Sequence, residues 1–157
     1  MLRFVSYDIV FQEIPGEVSL AINISNCPNR CEDCHSPHLR ENIGEPLDND
    51  ALILMLQKYG DAITCVCFMG GDASPEEVEQ CAIFIRKQRN GLIKTAWYSG
   101  KEIFPETCAL QNFDYLKLGA YKKHLGGLNS PTTNQRFYQI KDGKMIDLTD
   151  AFRKKHF

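Results

Sequence analysis

Three cysteines, Cys27, Cys31 and Cys34, lie within eight residues in the stretch NCPNRCEDCHSPH, and the next cysteine is Cys65. Thiolates are soft ligands that suit iron–sulfur clusters, zinc and copper(I). A closed structural metal site takes four protein ligands, so one compact loop with three thiolates leaves a metal position open. In a 4Fe–4S cube that position is an iron able to bind a small molecule. The competing chemistry is a structural zinc with Cys3His ligation, His35 or His38 being the fourth ligand. Zinc ribbons generally draw on two separated ligand pairs, whereas this chain offers a single compact loop.

Such a loop needs a scaffold, and the sequence alternates strand and helix. RFVSYDIVFQ and VSLAINIS have strand-like alternation, with Pro15-Gly16 as the turn between them. Leu52, Met55, Leu56 and Tyr59 recur at helical spacing, and Gly60 is the expected stop. AITCVCFM is a nearly continuous apolar run, the pattern of a strand buried on both faces. A second helix is expected from Ser74, as N-cap with Pro75 first and Glu77 completing a capping box, to Asn90-Gly91. LIKTAWYS and FDYLKLG read as further strands, with a short helical piece near Glu106 to Gln111. RFYQI and KMIDL flank Lys141-Asp142-Gly143-Lys144, a hairpin signal.

This order implies βαβ units, a parallel sheet and an α/β fold. Crossover handedness puts the helices on one outer face if the sheet curls. There are too few strands for an eight-fold barrel, which needs roughly 200 residues or more, so a partial, incomplete β/α barrel with a C-terminal hairpin is expected, as one domain over 1–157. CPNRCEDCH, GGDAS, YSGK and GAYKK each follow an expected strand. In a parallel sheet those ends share one rim, where α/β proteins place their sites.

Bulk properties narrow the functional classes. A net charge of −2 gives no electrostatic pull toward nucleic acid or anionic membranes. The N-terminal stretch MLRFVSYDIVFQEI lacks an apolar run of the length a signal peptide or membrane span requires. Seven cysteines, an odd count, point to the reducing cytoplasm and to thiols used as ligands or core filler. Cys65 and Cys67 lie two apart on a strand, about 6.5 to 7 Å between Cα atoms and badly directed for a disulfide. They and Cys81 read as buried small hydrophobes.

The cysteine spacing resembles the cluster loop of the radical S-adenosylmethionine (SAM) enzymes. DYLKLGAYKKHLGGLNSPTTNQRFY, with DIV near the N-terminus, is similar to the small activating proteins of anaerobic (class III) ribonucleotide reductases. The likeness runs from about Tyr7 to Tyr138, and NSPTTNQRF is its most specific block. It implies a radical-SAM-type partial barrel and a 4Fe–4S cluster on Cys27, Cys31 and Cys34 that binds and reductively cleaves S-adenosylmethionine. The resulting deoxyadenosyl radical would abstract hydrogen from a C-terminal glycine of the large reductase subunit, with a flavodoxin-type electron donor. The resemblance also implies that Gly70, Gly71 and Asp72 lie against the methionine end of the cofactor and His35 near the adenine. Thr132, Thr133, Asn134 and Gln135 would fall near the site or the partner surface, Asn134 among the cofactor contacts. The chain departs from the family pattern at Asn26, where glycine is common, and at Ala73-Ser74, which separate Gly-Gly-Asp from Pro75. The other functions open to the sequence are a non-catalytic binding module with structural zinc and an activase of another glycyl-radical enzyme.

Overall fold

A computed structural model describes residues 1–25 and 43–152. Their strands are β1 (Arg3–Val10), β2 (Ser19–Ile24), β3 (Glu45–Pro46), β4 (Cys65–Met69), β5 (Lys94–Tyr98), β6 (Tyr115–Leu118), β7 (Arg136–Lys141) and β8 (Lys144–Asp147). The helices are α1 (Asn49–Tyr59) and α2 (Pro75–Gln88). All these strands join one sheet in the order β3-β1-β2-β4-β5-β6-β7-β8. The centre, β2-β4-β5-β6, is parallel, and the flanking pairs are antiparallel. The fold is mixed α/β, and its parallel strands neighbour one another in chain order.

Each element follows from its local sequence. In β4, Val66 and Phe68 pack with the helices while Cys65 and Cys67 face the opposite side, and all four are fully buried. That accounts for a run without polar alternation. Asp48 caps α1 by accepting a hydrogen bond from the Ala51 N–H at 2.9 Å. The helix ends at Gly60, whose backbone is right-handed and whose N–H donates to the Leu56 carbonyl at 2.8 Å, and Arg89 adds a second donor to that carbonyl at 3.2 Å.

Ser74 is the N-cap of α2 and Pro75 its first residue, but the capping box is incomplete. Ser74 sits at φ −147°, ψ 72°, its N–H turned back to the Gly71 carbonyl, and its hydroxyl makes no cap bond. The hydroxyl serves Glu77 instead and is the chief cause of that carboxyl's lowered pKa. Glu77 also pairs with the N-terminal amine at 3.4 Å. The expected helical piece before β6 is a 3-10 turn at Leu110–Asn112. The β7–β8 turn has Asp142 and Gly143 at φ 53° and 73°, the paired left-handed residues of a two-residue hairpin.

Both helices pack on one side of the sheet. Leu52, Met55 and Leu56 of α1 and Val78, Ala82 and Ile85 of α2 share a core with Ile22, Val66, Phe68 and Trp97. The opposite side carries a smaller core of Ile14, Cys65, Cys67, Ala96, Tyr115 and Phe137. Among the described residues no helix is long and apolar enough to cross a membrane.

Candidate cofactor rim at the carboxyl ends of the parallel strands

The last register row of the parallel strands runs Asn23, Met69, Tyr98, Lys117. The chain leaving this row forms the loops expected to carry chemistry. After β2 come Ser25 and then residues 26–42. Cys27, Cys31, Cys34 and His35, the expected cluster ligands and adenine contact, lie outside the described residues. The described ends of that segment meet: the Ser25 hydroxyl donates to the Ile43 carbonyl at 2.5 Å, and its N–H to the Arg3 carbonyl at 3.0 Å.

The loop after β4 holds Gly70, Gly71 and Asp72 beside that point. Gly70 and Gly71 have φ of 107° and 90°, a region L-residues with side chains rarely adopt. A Cβ on Gly70 would stand 3.0 Å from the Ile24 carbonyl oxygen, and one on Gly71 would stand 2.5 Å from a methyl of Val78. These glycines therefore let the loop lie against both the end of β2 and the first turn of α2. The Gly70 carbonyl accepts from the Trp97 indole N–H at 2.7 Å, and the Gly70 N–H donates to the Tyr98 carbonyl at 3.0 Å.

Asp72 is buried, and its carboxylate is engaged within the protein. Oδ1 accepts from the wholly buried Ser99 hydroxyl at 2.5 Å and Oδ2 from the Gly100 N–H at 2.8 Å. The expected cofactor contact is thus also a strut between the loops after β4 and β5. Those two loops wall a cleft of about 440 Å³ that Asp72, Trp97, Lys101 and Ile103 help to line, within the size range of small-molecule sites.

The loop after β6 joins the same lattice. Gly119 donates its N–H to the Lys101 carbonyl at 2.7 Å, and its carbonyl accepts from Gln135 Nε2 at 3.3 Å. Asn134 Nδ2 donates to the Ala120 carbonyl at 3.0 Å. Its Oδ1 is buried and has no hydrogen-bond donor among the described residues. Thr132 and Thr133 instead fold their own segment, their hydroxyls donating to the Leu125 and Gly126 carbonyls.

Of the remaining cysteines, Cys65, Cys67 and Cys81 are core, and Cys108 is half-buried with its thiol donating to the Pro75 carbonyl at 3.6 Å. Burial pushes the Cys65 and Cys67 thiols up, Cys67 lying 3.5 Å from the Met69 sulfur, and burial holds Cys81 up at about 12. Thiols so held are not ready ligands. Among the described residues no three His, Cys, Asp or Glu side chains are grouped to hold a metal ion.

The rim also includes two residues that the motif reading passed over as individuals. Ser99 falls in the YSGK stretch, where nothing in the sequence singles out its hydroxyl. Lys117 is 9% exposed on the helix-free face of β6, where a lysine interrupts an apolar strand. That interruption was the available signal. Compared with known proteins, the chain matches no family model, no curated protein and no solved structure.

Proposed function

We propose that this chain is a cytoplasmic radical S-adenosylmethionine activase, a single partial-barrel domain, that installs a glycyl radical on an anaerobic ribonucleotide reductase. The observation that carries the reading is where the three-cysteine segment attaches. Its ends, Ser25 and Ile43, are joined at the carboxyl end of β2, and Gly70 packs on the adjoining Ile24 carbonyl. Parallel strands in chain order, with both helices on one face, support a singly wound sheet of the β/α-barrel kind.

Cys27, Cys31 and Cys34 would hold the cluster. When bound, the cluster would supply the electron for reductive cleavage of S-adenosylmethionine, the chemistry needed to remove a hydrogen atom from a glycine of the large reductase subunit. The residues at the rim suit the cofactor. S-adenosylmethionine carries an ammonium and an adenine amine, both donors, and Asn134 Oδ1 is a buried acceptor with no donor among the described residues. His35 would lie along the adenine. Gly70 and Gly71, lacking side chains, would let the methionine end approach the backbone closely, and Asp72, through Ser99 and Gly100, would hold that backbone still. A flavodoxin-type protein is the proposed electron donor.

The test begins with protein purified without oxygen, which should be brown and carry iron and sulfide. Changing Cys27, Cys31 or Cys34 singly to Ser should abolish iron binding and cofactor cleavage, while Cys65→Ser should leave both largely intact. Reduced protein mixed with S-adenosylmethionine and the reductase should give the glycyl-radical doublet in an electron paramagnetic resonance spectrum. A colourless protein with stoichiometric zinc would sink the activase and support the zinc module. Cofactor cleavage without the doublet would redirect the reading to another glycyl-radical enzyme.

A further inference from the structure

Lys117 has an unusual position for a lysine. It sits at the end of β6 on the helix-free face, beside Tyr98, with its Nζ 5.5 Å from the centre of that ring. Burying an ammonium is costly unless hydrogen bonds and π-faces replace its water. Here Nζ donates to two backbone carbonyls on different loops, Ser99 at 2.9 Å and Gly119 at 3.1 Å. The Lys117 carbonyl in turn accepts from the Ser99 N–H at 2.8 Å. Ser99 is therefore clasped at both its N–H and its C=O by one residue, and its hydroxyl is the donor to Asp72.

We infer that Lys117 is a positioning residue for the Gly70–Gly71 loop, acting through Ser99 and Asp72. The relay is continuous: ammonium to the Ser99 carbonyl, Ser99 hydroxyl to the Asp72 carboxylate, and Asp72 to the chain that follows Gly71. Gly100 N–H, bonded to Asp72, closes the ring at 2.8 Å. A neutral side chain of similar length would fill the space but leave both carbonyls without their charged donor. Ser99 would keep its N–H bond to the Lys117 carbonyl but lose the hold on its own carbonyl, and its hydroxyl would be less firmly aligned on Asp72. Charge-assisted bonds are the strong ones in such networks, so the ammonium is the member whose loss matters most. The consequence for cofactor binding rests on the activase reading, whereas the relay itself does not.

The experiment compares the full-length protein, purified without oxygen, with Lys117→Met, Ser99→Ala and the double variant. Hydrogen–deuterium exchange is read at the Gly100 and Gly119 amides, and emission is read from Trp97, the chain's one tryptophan, which bonds Gly70. Both amides should exchange faster in Lys117→Met, and the Trp97 emission should shift. The KM for S-adenosylmethionine should rise about tenfold, the equivalent of one charge-assisted bond, with kcat within about twofold. The double variant should be no worse than the poorer single one, because both substitutions cut the same relay. A purely structural lysine would lower the melting temperature, leave KM unchanged and give additive effects, and that outcome overturns the inference. Unchanged Gly100 exchange in a folded Lys117→Met protein also overturns it. Should Lys117→Met not fold, Ser99→Ala decides alone: a raised Gly100 exchange supports the relay, and an unchanged one overturns it. A wild-type protein that does not bind S-adenosylmethionine would sink the activase reading, and the exchange and emission readings would still judge the relay.

Discussion

Gly71 shows what single residues do at this rim. Its φ of 90° and the Val78 methyl in the path of a Cβ act together. Gly71→Ala should therefore destabilise the fold by roughly 1–3 kcal/mol from strained backbone and overpacking, read as a lowered denaturant midpoint. Trp97 tests the same loop from the sheet side. Trp97→Phe keeps most of the apolar volume but strips the Gly70 carbonyl of its indole donor. A buried acceptor left alone costs about 1–3 kcal/mol, and that loss of stability is the expected outcome. If Trp97→Phe proves neutral, the indole–Gly70 bond does not hold the loop.

Among elements, the β1–β2 connection does more than reverse the chain. It carries Glu17 to the amino ends of β5 and β6, where the carboxylate accepts from Lys94 Nζ and the Tyr115 hydroxyl, each at 2.7 Å. Burial pushes the Glu17 carboxyl up, but the bonds from Lys94, Tyr115 and Thr64 outweigh it and hold the pKa below its ordinary 4.5. A depressed carboxyl binds its proton more weakly folded than unfolded, so its stabilisation is complete above that ordinary value. The stabilisation is lost as the pH falls from 4.5 through the lower folded value. Glu17→Gln should accordingly lower stability near neutrality and flatten the acid limb of the stability profile, measured by denaturant unfolding across pH. Tyr115→Phe, which removes one donor from the same carboxylate, should cost about 1 kcal/mol. This lock lies at the end of the parallel strands opposite the rim, the end that stabilises rather than reacts in singly wound α/β folds.

For the molecule as a whole, the proposed cluster would tie a segment whose two ends already meet at Ser25 and Ile43. A metal centre bound by the folded chain and not by the unfolded one adds its binding energy to stability. Chelating iron from the anaerobic protein should lower its thermal midpoint, whereas Cys27→Ser protein, unable to assemble the centre, should show no response to the chelator. An equal response from both proteins would place the iron elsewhere. Nothing among the described residues offers such a place, since no three of their His, Cys, Asp or Glu side chains are grouped to hold a metal ion.

Much of the scaffold is legible in local pattern because its causes are local. The unbroken apolar run at Cys65–Met69 is a strand buried on both faces, Asp142-Gly143 supplies the left-handed pair its hairpin needs, and the spacing of Leu52, Met55 and Leu56 fits one helical face. The glycine pair likewise marks the rim from sequence alone, because backbone freedom is a property of residue type. What only the tertiary structure decided are pairings between residues far apart in the chain. Asp72 with Ser99, Trp97 with Gly70, and Glu17 with Lys94 and Tyr115 are separated by 27, 27, 77 and 98 positions. No periodicity encodes which hydroxyl meets which carboxylate; that follows from the register in which parallel strands align. For the same reason the expected capping box at Ser74 gave way to a turn back to Gly71, and a lysine within an apolar strand proved to be the clasp between two loops.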